Sequence, residues 1–184
     1  MMRHALAVAT CLGALALAAT AAGQPRATPG FSARVDNPWF PLKPGSTYSY
    51  KGVKDGEPSR DVVVVTRRTR IVDGAPCVAV EDRLFLRGVL EERTTDWYTQ
   101  DRAGNVWYFG ERTATLDAEG RVTSRDGSWE AGKDGAKAGI FMFARPRVGK
   151  SARQEYYAGQ AEDHFQVVRL DAPVRVPYVT SRHA

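Results

Sequence analysis

Cysteine and histidine are scarce in this chain, with two of the first and three of the second among 184 residues. Cys11 lies in the apolar N-terminal run and Cys77 in the string APCVAV, so removal of the leader leaves a single cysteine and no intramolecular disulfide. A lone cysteine among apolar neighbours reads as a small buried hydrophobe, because a reactive thiol wants a basic, partly exposed setting. Zinc needs several Cys or His at short spacing, and Cys77 with His164 cannot supply a ligand set. Only His164 and His183 follow the leader and no Gly-x-Ser-x-Gly elbow is present, so a Ser-His-Asp hydrolase lacks its parts; Ser128, between Gly127 and Trp129, reads as an exposed loop serine. No glycine-rich phosphate loop runs into Lys-Ser or Lys-Thr. Asp101, Gly104 and Asn105 offer oxygens at a bend, but a hairpin turn requires the same residues, and the downstream acidic ligands of a calcium loop are missing. The sequence therefore assigns no catalytic residue, no metal ligand and no cofactor.

Long hydrophobic runs are also absent, with one exception at the start. MMRHALAVATCLGALALAATAAG has a basic front (Arg3, His4), an apolar run from Ala5 to Ala19 and small residues before a Gly-Gln-Pro break, the three parts of a secretory signal. The run is shorter than the roughly 20 residues a helix needs to cross a bilayer. Residues 1–22 therefore read as a signal peptide, and the protein as exported to the periplasm, the envelope or the extracellular space, with no integral membrane span. Cys11 sits inside the apolar run after Thr10, which disfavours a lipoprotein signal. The formal net charge of +5 is spread along the chain, with one knot at Arg67, Arg68 and Arg70. Strand alternation puts Arg68 and Arg70 on one face and Arg67 on the other, so solvated strand positions are favoured over a nucleic-acid or anionic-lipid patch. No nucleic-acid partner is expected.

Residues 23–35, rich in Pro, Gly and small side chains, read as a flexible leader; residues 36–176 as one β-rich domain; residues 177–184 as a disordered tail. From Tyr48 onward β-formers are broken by Asp55-Gly56, Asp73-Gly74, Arg87-Gly88, Ala103-Gly104-Asn105, Glu119-Gly120 and Asp126-Gly127, which are hairpin signals. The short links leave no room for crossover helices, so the fold class is mainly β, an antiparallel meander. A two-residue Arg87-Gly88 turn predicts Leu86 opposite Val89, Phe85 opposite Leu90, Arg83 opposite Glu92 and Asp82 opposite Arg93, giving two opposite-charge pairs. A three-residue loop closed by Asp101 and Asn105 predicts Thr99 opposite Trp107, Tyr98 opposite Tyr108 and Trp97 opposite Phe109. Aromatics then fall on both faces, which demands cover on both. A sheet curling into a half-barrel or barrel provides it, and a two-sheet β-sandwich is the alternative. GSWEAGKDGAKAG reads as a long loop, IFMFA as a short apolar segment, and SARQEYYAG and DHFQVVRLDAPVRV as two further strand-like runs.

For function the leading feature is the aromatic concentration. Trp97, Tyr98, Trp107, Tyr108 and Phe109, with Glu111 beside them, are the candidate binding residues for an apolar or glycan-like ligand, although core packing accounts for the rings as well. The rival is a glycoside hydrolase using two carboxylates drawn from Asp96, Glu111, Glu130 and Glu155, with Glu111 and Glu130 as the pair; alternation alone also places acids beside aromatics. A passive surface protein without ligand is the third class, and enzyme activity is the less favoured reading.

The strings DNPWFPLKPGSTYSYKG, TTDWYTQDRAGNVWYFGE, GSWEAGKDGAKAGI and RQEYYAGQAED resemble those of a family of uncharacterised exported bacterial proteins with TDWYAQD, NVWYFGE and RQEYY signatures. The likeness covers most of residues 36–176. It implies an exported β-rich domain and carries over no activity, cofactor or catalytic residue. Family members continue past the VPY of this chain with more strands, including a YYAPG-like block, so the resemblance implies a truncated C-terminus, an unpaired edge near Val167 to Val176 and reduced stability. The leader generates the first prediction: intact-mass measurement on protein secreted by a bacterial host finds a chain beginning at Ala22 or Gly23. Recovery of an unprocessed chain retaining Met1 would contradict it.

Overall fold

The computed structural model describes residues 30–175 and 180–181; the segment read as a secretory signal lies outside them. The elements are β1 (Phe31–Ser32), β2 (Thr47–Lys54), β3 (Glu57–Val72), β4 (Ala75–Leu86), β5 (Val89–Asp101), β6 (Val106–Leu116), β7 (Val122–Ser124), β8 (Trp129–Glu130), β9 (Lys137–Met142), β10 (Ser151–Arg153), β11 (Glu155–Tyr156), β12 (His164–Gln166), β13 (Val174–Arg175) and β14 (Thr180–Ser181). Among the described residues no helix is long and apolar enough to cross a membrane. Strands β2 to β6 run as an antiparallel meander in a ten-stranded sheet of order β11-β9-β6-β5-β4-β3-β2, with β1 on β5 and β7 and β8 on β6. The sheet curls through 211° into a half-barrel, as both-face aromaticity requires.

Turn chemistry sets the meander. Asp55-Gly56, Asp73-Gly74 and Arg87-Gly88 have positive φ at both positions (54° and 81°, 43° and 76°, 50° and 84°). That is the type I′ backbone, whose twist matches the strands it joins. The Asp101–Asn105 loop also closes as expected, with the Asp101 N–H donating to the Asn105 carbonyl at 3.0 Å and Asn105 N–H donating to Asp101 Oδ1 at 2.9 Å. Asp101 Oδ2 accepts from Trp107 Nε1 at 2.9 Å. Burial alone would raise the Asp101 carboxyl, but the bonds from Asn105 and Trp107 outweigh it and hold it below its ordinary value. Its oxygens serve the turn.

Within the β3 to β6 meander, three register shifts depart from simple alternation. Leu86 meets Val89 and Phe85 meets Leu90 as expected, but then Leu84 meets Glu92, Arg83 meets Arg93 and Asp82 meets Thr94. Glu91 is a bulge, and neither expected opposite-charge pair forms. In the next hairpin Thr99 meets Trp107 and Tyr98 meets Tyr108, but Asp96 meets Glu111, so Trp97, paired with Ala79 on β4, has no single partner on β6 and faces Phe109-Gly110 together. In β3 the shift falls between Val65 and Thr69. Arg68 and Arg70 emerge on one side there, bonded to Glu81 and Glu130.

Both sheet faces are packed. Phe31 sets its ring edge against Trp107 and Phe109 at 5.9 and 5.4 Å on one side. On the other, Tyr98 and Tyr108 stack at 4.8 Å with Phe40, Phe141 and Trp129 around them. Cys77 is fully buried, and burial pushes its thiol up to about 12. It is an inert core residue.

Three boundary expectations are corrected. Residues 31–35, read as flexible leader, belong to the fold: Phe31 pairs with Asp101, Ser32 with Gln100, and Val35 bridges Leu42. Burial of Phe31 and Val35 outweighs the Pro and Gly around them. The expected loop over 127–139 contains strands, because Trp129 and Glu130 pair with Glu111 and Gly110, leaving only a tight turn from Ala131 to Ala136. The late strand-like runs are shorter than expected. β10 and β12 form a separate two-stranded ribbon, and Thr180–Ser181, expected in a disordered tail, pair with Arg175 and Val174.

Gly110 fixes the β6 shift: its φ is 134°, and a Cβ there would lie 2.4 Å from the Trp129 carbonyl oxygen. Gly110→Ala is therefore expected to cost about 3 kcal/mol or more, from strained φ plus backbone displacement. Chemical denaturation checks it; a loss under about 1 kcal/mol would contradict the close approach.

Candidate functional site

A strap from Val35 to Leu42 folds over the meander. Asn37 pins it from a buried position, donating from Nδ2 to the Gly104 carbonyl at 2.8 Å and to the Phe143 carbonyl at 3.2 Å. Asn37 Oδ1 accepts from the Trp39 N–H at 2.8 Å, the short polar turn expected of Asn before Pro. The Asp36 and Asn37 amides both donate to Gln100 Oε1. Rigidly placed in this way, Trp39, Phe40, Pro41 and Leu42 form one wall of a cavity of about 360 Å³.

The opposite wall comes from the sheet. Val63 faces Tyr48 and Asp82, Val80 faces Val65 and Asp96, and Asp96 neighbours Tyr98 two residues on, so one face of β2 to β5 contributes Tyr48, Tyr50, Val63, Val80, Asp82, Asp96 and Tyr98. Trp39, Tyr48 and Tyr50 are 50%, 37% and 56% exposed and are the exposed aromatic side chains among the described residues; all three line this cavity. Its ionisable groups are the carboxyls of Asp82 and Asp96 with the tyrosine hydroxyls, and no Lys, Arg or His lines it.

Those carboxyls belong to a larger acidic set on the same face. The register aligns Asp61 with Leu84, Asp82 with Thr94, Leu84 with Glu92 and Asp96 with Glu111. Burial pushes Asp96 up to about 6, against the lowering bond from Tyr108, whose hydroxyl donates to Asp96 Oδ1 at 2.7 Å. Burial, then the charges of Asp96 and Glu155, push Glu111 up to about 8. Asp82 is raised by burial and by the neighbouring Asp61 carboxyl, whose Oδ1 is buried without a hydrogen-bond partner. Two such carboxyls lie together comfortably only with a proton between them. Burial also raises Glu155, although it accepts from Trp129 Nε1 at 2.8 Å.

The candidate residues from the sequence divide among several places. Tyr98 lines the strap cavity, and Tyr108, buried, stacks behind it and bonds Asp96. Trp107 and Phe109 pack against Phe31 on the other side of the sheet. Trp97 is 4% exposed beneath the Arg70 guanidinium, 4.4 Å from its ring centre. Trp97, Glu111 and Glu130 line a second cavity of about 390 Å³ with Trp129 and Tyr157. In it Glu130 is bound to Arg70 at 2.7 Å and Lys133 at 3.0 Å. The register sets Glu111 opposite Trp129 and Glu130 opposite Gly110, so the two carboxylates occupy opposite sides of the β6–β8 pair. Trp39, Tyr48, Tyr50 and Asp82 were not singled out from sequence. The Asn37 turn before Pro38 and the exposed Tyr48-x-Tyr50 alternation were the available signals.

No protein-family model, no curated protein and no solved structure matches this chain.

Raised carboxyls make stability depend on pH with a definite sign. A group bound more tightly to its proton when folded contributes stability that is complete below its unfolded value, near 4, and lost as pH rises through the folded value. For Asp96 and Glu111 the losses fall around pH 6 and pH 8. The thermal midpoint is expected to decline from pH 5 to pH 9, and Glu111→Gln, which cannot ionise, to gain on the parent chain at pH 9 relative to pH 5. Parallel curves for the two proteins would contradict a buried, protonated Glu111.

Proposed function

We propose that this is an exported binding protein whose strap cavity holds a small apolar or glycan-like ligand. One observation carries the reading: every exposed aromatic side chain among the described residues lines a single cavity of about 360 Å³, over a floor of carboxyls. Rings left half in water cost free energy that a ligand recovers by covering them. The volume lies in the range of small-molecule sites, which combine apolar walls with a few placed polar groups. Asp82 and Asp96 are those groups, and they accept hydrogen bonds from ligand hydroxyl or amine donors. Aromatic rings suit either an aliphatic body or the C–H face of a sugar, so the ligand's polar end, not its body, is what the carboxyls select.

The glycoside hydrolase reading is weaker, since Glu130 is neutralised by Arg70 and Lys133 and lies across the strand pair from Glu111. Binding is tested with Nile red as an apolar probe and with neutral oligosaccharides, read through tryptophan emission and native mass spectrometry of protein purified from its own cells. A ligand in the cavity shifts the emission of Trp39, and Trp39→Ala with Tyr50→Ala weakens binding tenfold or more, about 1.4 kcal/mol. Absence of a co-purifying mass together with unmoved emission across both probe classes would remove the proposal.

A further inference from the structure

The face of the meander turned away from the strap cavity carries the opposite charge. Glu81 faces Thr95, Arg83 faces Arg93, Thr95 faces Arg112 and Arg93 faces Ala114, so one row of side chains on β4, β5 and β6 brings three arginines together. Arg68 from the irregular part of β3 and Arg125 beyond β7 join them around a cavity of about 490 Å³. Glu81 is bonded to Arg68 and, at 2.6 Å, to Arg83. Among the described residues, Arg93, Arg112 and Arg125 have no carboxylate within ion-pair distance, and each side chain is exposed.

Like charges directly opposite on neighbouring strands are unfavourable, and Arg83 against Arg93 is such a pair. A plain solvated face would interleave signs; here five arginines line one hollow against two acidic residues, Glu81 and Asp82, and the register sets Asp82 beside Val63 on the strap-cavity face. Arginine presents a planar fork of donors that matches phosphate, sulfate or carboxylate oxygens two at a time. Three of the five, Arg83, Arg93 and Arg112, rise from paired strand positions, so the central forks are held by the sheet. Charge excess, geometry and donor type point the same way.

We propose that Arg68, Arg83, Arg93, Arg112 and Arg125 form an oxyanion site that binds a phosphate-type group bearing more than one negative charge. The site is separate from the strap cavity and does not depend on the ligand held there. Arg93 and Arg112 are its centre, because they lie on adjacent strands with no acid to occupy them; Glu81 holds Arg68 and Arg83 at the rim. The shared chemistry is that of free pyrophosphate or of a phospholipid headgroup presented at a membrane surface.

Titration calorimetry with pyrophosphate and sedimentation with vesicles of anionic or purely zwitterionic phospholipid separate the two sources. Arg93→Ala and Arg112→Ala are expected each to weaken binding tenfold or more, and Arg93→Lys to restore only part of it. Arg102→Ala removes an equal charge from an exposed loop elsewhere and is expected to leave binding within about twofold. Pyrophosphate binding with no vesicle binding identifies a soluble oxyanion; binding to anionic vesicles alone identifies a headgroup; either supports the site. Binding of neither probe, or equal loss in Arg102→Ala and Arg93→Ala, would overturn it.

Discussion

A single extra residue at Glu91 decides on which side of this sheet the charges of β5 fall relative to those of β4. Without it, the Arg87-Gly88 turn would set Arg83 against Glu92 and Asp82 against Arg93, and the charges would cancel across the strands. With it, Glu92 moves to the side of Leu84 and Asp82, while Arg93 moves beside Arg83. A bulge reverses alternation for every residue beyond it. Asp96 thereby joins the acidic face and Thr95 the basic one, and the second bulge, at Phe109-Gly110, brings Glu111 opposite Asp96 and Arg112 opposite Thr95. Both proposed sites descend from that sorting.

The acidic side pays for its charge in proton affinity. Asp82, Asp96 and Glu111 sit where burial and mutual repulsion favour the neutral form, and the Tyr108 hydroxyl is the chief donor given to them. Aromatic rings enclose the same region from Tyr98, Phe141 and the strap. The strap itself holds because Asn37 satisfies two buried carbonyls and Gln100 clasps two strap amides. A cavity walled by rings and floored by carboxyls is thus a consequence of where the strap crosses the sheet.

The fold was legible wherever one local rule governed. Asp-Gly and Arg-Gly pairs specified the I′ turns, and aromatics on both faces specified a sheet that curls. The register was legible only up to each bulge, since nothing in EERTTDW announces that Glu91 is passed over or that Phe109-Gly110 is paired as one. The binding residues were half legible. Tyr98 and Tyr108 stood out as neighbours in a rich stretch, whereas Trp39, Tyr48 and Tyr50 reach the same cavity from distant segments and met only through the strap. The arginine cluster was hidden for the same reason: Arg68, Arg93, Arg112 and Arg125 are scattered in sequence, and the one visible knot, Arg67-Arg68-x-Arg70, contributes a single member.

The account stands on the Glu91 shift, and cross-strand disulfide trapping measures it directly. In a Cys77→Ala background, cysteines placed at Arg83 and Arg93 are directly opposite and close enough to bridge under mild oxidation, whereas cysteines at Arg83 and Glu92 point to opposite faces. Rapid intramolecular bridging of the Arg83→Cys, Arg93→Cys pair, with the Arg83→Cys, Glu92→Cys pair remaining reduced, is the predicted result. Bridging of the second pair in preference to the first would contradict the charge sorting and both sites built upon it.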